Sequence, residues 1–154
     1  MSTVREHYEA VLSEHYSRMF GDFEAKVAEQ QALLERLGVT ARPSGGLAVD
    51  LGCGSGFQSV ALARLGFRVL SIDFSPRLLA ELNERARGLP VAAVAGDIRD
   101  VGALAPTGVE LVVCAGYMHL LRRTFIDRFP GRIVNTHSAP LPDFPLSIND
   151  LGGT

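Results

Sequence analysis

Val49-Asp50-Leu51-Gly52-Cys53-Gly54-Ser55-Gly56-Phe57 decides the fold class of this chain. An apolar run from Leu47 to Leu51 ends in three alternate glycines, and a helical pattern starts directly after them. Glycine lets the backbone take positive φ and leaves no Cβ between the main chain and whatever docks there. The helix that follows turns its free N–H groups and positive dipole end toward the same point, which suits a carboxylate or a phosphate. The spacing is G-x-G-x-G with an acidic residue ahead of it. The dinucleotide fingerprint G-x-G-x-x-G needs glycine at position 57, where this chain has Phe57.

Working outward, helical and strand patterns alternate. Val4 to Met19 and Phe23 to Leu37 read as amphipathic helices. In the second, Phe23, Val27, Gln30, Leu33, Leu34 and Leu37 share a face, with Asp22 as cap and Gly38 as stop. Leu47 to Leu51 is continuously apolar, as a strand buried on both faces should be. Gln58 to Leu65 is a short helix and Phe67 to Ile72 a second strand; Ser75 caps and Pro76 opens a helix running to about Arg87. Val91 to Ala95, Glu110 to Ala115 and Arg132 to Thr136 are three more strands, and Arg122 to Phe129 has room for two helical turns. This alternation predicts an α/β fold, a doubly wound, Rossmann-like parallel sheet of about five strands with helices on both faces. Residues 1–40 are expected to form an N-terminal helical segment and 41–154 the core, with 137–154 an irregular tail, within a single domain.

Composition narrows the function. The chain has 154 residues, 47% hydrophobic and 21% charged, enough for one core. A net charge of −2 leaves no electrostatic footprint for nucleic acid or an anionic membrane. No apolar run reaches the ~18 to 20 residues of a membrane span, and the N-terminal segment is too polar for a secretory leader. Cys53 and Cys114 have no C-x-x-C spacing, which fits a reducing compartment and argues against a structural disulfide or a metal site. A cytoplasmic location is expected.

Carboxylates collect at the strand ends. Asp73 falls at the end of the second strand, beside the glycine turn in a doubly wound sheet, where a carboxylate can accept both hydroxyls of a ribose. Asp97 ends the third strand on the same edge, where an adenine would lie, and Asp50 can accept hydrogen bonds from the loop or from a ligand ammonium. Strand-end aspartates also serve as helix caps or solvated charges. The spacing taken together with the glycine turn favours a ligand.

Residues 49–56, then Val69-Leu70-Ser71-Ile72-Asp73-Phe74-Ser75-Pro76, then Gly96-Asp97-Ile98, resemble the class I S-adenosylmethionine-dependent methyltransferases, over about Val4 to Cys114. The resemblance implies S-adenosylmethionine as cofactor and a small molecule as substrate. It implies that Gly52, Gly54 and Gly56 line the methionine part, that Asp73 holds the ribose with Phe74 beside it, and that Asp97 with Ile98 meets the adenine. Asp50 and Cys114 complete the expected cofactor contacts. His15-Tyr16-Ser17-Arg18-Met19-Phe20 is similar to the lid helix of small-molecule members, so Tyr16 would cover the cofactor, although aromatic residues in such helices also serve simply as core. Methyl transfer from a sulfonium is an in-line displacement, so alignment matters more than a strong base.

Beyond the fourth strand the pattern changes. Phe129-Pro130-Gly131-Arg132-Ile133-Val134-Asn135-Thr136-His137-Ser138-Ala139-Pro140-Leu141-Pro142 resembles folate-dependent formyltransferases, notably glycinamide ribonucleotide formyltransferase. The resemblance implies that Asn135 and His137 polarise a formyl group; Ser138 stands where that family commonly has proline. The aspartate completing that set would fall past Thr154. The chain therefore reads as a chimera joined near Glu110 to Gly116. The catalytic residues are left open, with His119, Asn135 and His137 as the candidates. The fifth strand should be an open edge, covered by the Pro-rich tail or paired with a second chain as a homodimer. Two other readings stay open: a formyltransferase-related protein lacking its catalytic aspartate, and a non-catalytic nucleotide-binding or interaction module.

Overall fold

The computed structural model describes residues 21–41, 43, 45–97, 108–115 and 123–136, together with Thr3 and Glu6. Apart from Glu6, the expected helix Val4 to Met19 lies outside the described residues, as do Tyr16, Ile98, His119, His137 and the tail.

The first helix, α1 (Phe23–Arg36), starts where expected, because the Asp22 side chain accepts the Glu24 N–H at 3.0 Å. It buries Val27 and Leu34 on the predicted face. Strand β1 (Leu47–Leu51) then leads into α2 (Phe57–Arg64), β2 (Arg68–Asp73) and α3 (Pro76–Arg85). Helix α3 begins at Pro76 because Ser75 Oγ accepts the Leu78 N–H at 3.3 Å. Strands β3 (Val91–Ala95) and β4 (Val109–Ala115), helix α4 (Arg123–Ile126) and strand β5 (Ile133–Thr136) complete the series.

All five strands are parallel, in the order β3-β2-β1-β4-β5. The chain winds outward from β1 to β3, then crosses back to lay β4 on the other side of β1. A crevice opens at such a reversal, outside the carboxyl ends of the two central strands. Here those ends are Leu51 and Cys114, paired in register. The fold is the doubly wound sheet expected.

Alternation along the strands sorts the core into two layers. Ala48, Val69, Leu111, Val113 and Val134 pack with Val60, Ala61 and Leu62 of α2 and with Val27 and Leu34 of α1. Val49, Leu51, Ile72, Val112, Cys114 and Ile133 pack on the opposite face with Phe125 and Phe129. Helix α2 is buried at every position except Arg64, because the sheet lies beneath it and α1 crosses above. Arg64 instead reaches outward to Glu24 of α1 at 2.8 Å.

Several boundaries shift by a residue or two from expectation, and two of the differences have a clear cause. Strand β2 begins and ends one residue later than the pattern predicts. The Phe67 N–H is held by the Leu62 carbonyl at the end of α2, while Asp73 is drawn into the ladder opposite Ala95. The two-turn helix expected after β4 shrinks to Arg123–Ile126. Its continuation tightens into i→i+3 turns, with the Arg128 N–H on the Phe125 carbonyl and the Phe129 N–H on that of Ile126. Pro130 explains this, since the residue before a proline is pushed out of the α region. The rings of Phe125 and Phe129 still meet at 5.1 Å between centroids.

Strand β5 ends the described sheet, as expected, with Ile133 and Val134 buried on opposite faces. What covers its outer edge lies outside the described residues. No helix among the described residues is long and apolar enough to cross a membrane.

Candidate functional site at the glycine loop

The loop between β1 and α2 is built by backbone hydrogen bonds to the neighbouring strand. The N–H groups of Gly52 and Cys53 both donate to the Ile72 carbonyl, at 2.8 and 3.1 Å. Gly52, Gly54 and Gly56 all have positive φ, 67°, 55° and 98°. Their surroundings differ. Gly52 is the only partly exposed residue of the run 51–57, and a Cβ built on it would meet nothing within 4 Å. Gly54 is buried, and its N–H donates to Asp73 Oδ2 at 3.0 Å. Gly56 is buried as the cap of α2, where a Cβ would run into the Leu82 side chain of α3. The three glycines thus do three jobs: one leaves room, one latches the loop, one lets α3 close against it.

Asp73 is the other half of the latch. Its Oδ1 accepts the Ser75 N–H at 2.9 Å while Oδ2 holds Gly54, so one carboxylate ties the glycine loop to the start of α3. Asp73 is 4% exposed. A carboxylate has about four lone-pair positions and can take further donors from a ligand. Gly96, directly before Asp97, is anchored by its N–H on the Asp73 carbonyl at 3.0 Å. Asp97 and Phe74 are both half-buried on this rim. The topology therefore brings Gly52, Asp73, Phe74 and Asp97 to one edge of the sheet.

Asp50 sits beneath the loop. It neighbours Ser71 across the β1–β2 ladder, on the face that α2 covers. Ser59 of α2 closes the group, with its Oγ donating to Asp50 Oδ2 at 2.6 Å and lying 2.7 Å from Ser71 Oγ. All three side chains are fully buried, and Asp50 Oδ1 has no hydrogen-bond partner among the described residues. Burial pushes the Asp50 carboxyl up to about 7, opposed by the Ser59 hydrogen bond and reinforced by the charge of Asp73. The sequence placed Asp50 at the strand end; the two serines that hold it were not singled out there. Only the shared face of Asp50 and Ser71 in adjacent strands could have pointed to them.

The thiols are not nucleophiles. Burial raises Cys53 far above its ordinary value and raises Cys114 to about 12, with Asp50 adding to both. Cys114 is enclosed in the apolar layer with Val49 and Leu51. Both cysteines are free. Asn135 lies in β5 opposite Cys114, at the same sheet edge. His119 and His137, the other catalytic candidates, lie outside the described residues.

The Asp50 environment makes stability depend on pH with a definite sign. Unfolded, the carboxyl titrates near its model value of 3.8; folded, it titrates near 7. Between these values the native chain holds a proton that the unfolded chain has lost, so stability falls as pH rises through this window. Asp50→Asn removes this contribution. The stability of wild type relative to Asp50→Asn should drop by a few kcal/mol between pH 4 and pH 7 in urea unfolding. A difference that stays flat across that range contradicts the burial assigned to this carboxyl.

Around this loop, Asp73 places a carboxylate at the rim, Gly52 leaves open backbone, and Asp50 holds an oxygen without a hydrogen-bond partner among the described residues.

The sequence model of a family described as a methyltransferase domain matches residues 48–135. A ubiquinone biosynthesis O-methyltransferase from Xanthomonas axonopodis pv. citri is 32% identical over 83 residues, covering 53% of this chain and 35% of that protein. This chain thus spans about a third of that relative's length. A phosphoribosylglycinamide formyltransferase from Mycobacterium tuberculosis is 47% identical over 51 residues, covering 33% of this chain and 24% of that one. Among solved structures, magnesium protoporphyrin IX methyltransferase from Synechocystis PCC 6803 with bound SAH superposes with a TM-score of 0.61 at 18% identity, covering 86% of this chain and 69% of that one.

Proposed function

We propose that this chain, which belongs to the methyltransferase domain family, holds S-adenosylmethionine over its glycine loop and serves methyl transfer to a small molecule. The observation that carries the reading is the latch: one buried carboxylate, Asp73, ties the N–H of Gly54 to the start of α3 beside a glycine with open space above it. Asp73 would take the ribose hydroxyls, Asp97 the adenine side, and the region over Gly52 the amino-acid part. The cofactor supplies a methyl group already activated on sulfur. The chain's own residues have to bind it, orient it and keep water from the reacting line. A small-molecule acceptor is favoured by the net charge of −2, which offers nothing to a polyanion.

Calorimetric titration with S-adenosylhomocysteine tests this, with a folate analogue run in parallel. Saturable binding of S-adenosylhomocysteine is expected, weakened at least about tenfold in Gly52→Ala, because the methyl group would occupy ligand space. Failure of S-adenosylhomocysteine to bind removes the cofactor assignment.

A second reading rests on the 47% match to a formyltransferase. In it the chain is a chimera whose part from about β4 onward comes from that lineage, with Asn135 as its one candidate group in the described sheet. Binding of the folate analogue and not of S-adenosylhomocysteine would favour it. Binding of S-adenosylhomocysteine without turnover of S-adenosylmethionine on any acceptor would instead mark a non-catalytic binding module.

A further inference from the structure

Asp50, Ser59 and Ser71 form a closed polar group inside an otherwise apolar layer. Ser59 Oγ bridges the other two, at 2.6 Å to Asp50 Oδ2 and 2.7 Å to Ser71 Oγ, and all three residues are fully buried. One carboxyl oxygen is therefore held firmly, and the other, Oδ1, has no partner among the described residues. The titratable groups acting on this carboxyl are Asp73 at the end of β2, Cys53 in the glycine loop and Cys114 at the end of β4. Each would carry negative charge when ionised, and none compensates an Asp50 carboxylate. A buried anion with one bare oxygen and a second carboxylate nearby is costly, and a proton is the cheapest remedy. The remedy becomes unnecessary once a cation is seated beside the loop.

We propose that Asp50 couples occupancy of the glycine loop to its own ionisation: it carries a proton while the loop is empty and releases it to solvent when a ligand ammonium is bound. Ser59 and Ser71 are positioning residues in this scheme. Their hydroxyl pair fixes Oδ2 and leaves Oδ1 for the proton or for the ligand's charge. The balance is simple: the protonated carboxyl loses H⁺ to buffer, the bound ligand keeps its ammonium, and the Asp50 carboxylate and that ammonium form a neutral pair. Ligand affinity then rises with pH below the titration midpoint of the empty chain and levels off above it. The inference rests on the cofactor reading above, since it needs a cationic ligand at this loop.

Two measurements on the full chain test it. Carbon-detected NMR of the ligand-free protein should show one aspartate carboxyl with a midpoint near 7, assigned by its loss in Asp50→Asn. Ser59→Ala should move that midpoint higher, because the donated hydrogen bond that favours the ionised form is gone; a Ser59 that only fills space would leave it unmoved. Calorimetry with S-adenosylhomocysteine at pH 6, in two buffers of different ionisation enthalpy, should give close to one proton released per ligand for wild type and about none for Asp50→Asn. A midpoint in the ordinary carboxylate range overturns the inference. So does equal proton release from wild type and Asp50→Asn. If S-adenosylhomocysteine binds and no proton leaves, this inference fails alone; if it does not bind at all, the cofactor reading fails with it.

Discussion

Asp73→Ala is expected to cost about 3 to 5 kcal/mol of folding stability and to lower affinity for S-adenosylhomocysteine by at least tenfold. The reason is double. The Asp73 carboxylate accepts the N–H groups of Gly54 and Ser75, at 3.0 and 2.9 Å, in a site that is almost fully buried. Removing it strands two buried donors, and each hydrogen bond to a charged group contributes roughly 1.5 to 3 kcal/mol. In a domain of this size the melting temperature should fall by about 8 to 15 °C. Asp73→Asn keeps one acceptor and sets an amide N–H₂ against the other N–H, so it should recover part of the stability and little of the affinity. Unfolding in urea, followed by ligand titration of whatever remains folded, reads both quantities. A loss under 1 kcal/mol would mean the latch is not what holds the glycine loop to α3.

Gly56→Ala should be the next most damaging change. Its φ of 98° lies where an L residue is strained, and the added Cβ would collide with the Leu82 side chain. Strain in a left-handed conformation costs about 1 to 2 kcal/mol, and forcing a methyl into a packed contact typically adds 1 to 3. Leu82 is fully buried with Cys53 and Leu79, so it has little room to retreat. A total of about 2 to 5 kcal/mol is expected, read as a melting temperature lower by about 5 to 15 °C. Gly52→Ala is the internal control. It shares the positive φ but not the collision, so it should lose only the strain while binding ligand poorly. Equal stability losses for the two variants would mean that the Leu82 contact carries no weight.

The contrast between these glycines shows what pattern reading can reach. G-x-G-x-G after an apolar strand identified the loop, because no other residue so readily combines left-handed turns with close packing. It did not tell which glycine faces ligand space and which is packed against α3. That difference depends on Leu82, twenty-six residues further on, and on how α3 lies against β2 and β3. Asp73 was legible as a strand-end carboxylate beside the loop; its hold on two backbone amides was not.

The sequence by itself determined the order of elements, the parallel sheet and the carboxylates at its carboxyl edge. These follow from local periodicity, from caps such as Asp22 and Ser75, and from glycines that end strands. Tertiary structure alone decided which residues meet across the sheet: Asp50 with Ser71 and Ser59, Asp73 with Gly54, Gly56 with Leu82. The physical reason is that strand order and register are set by nonlocal packing of the two apolar layers. A pattern of period two fixes which face a residue takes, and only the assembled sheet fixes its neighbour there.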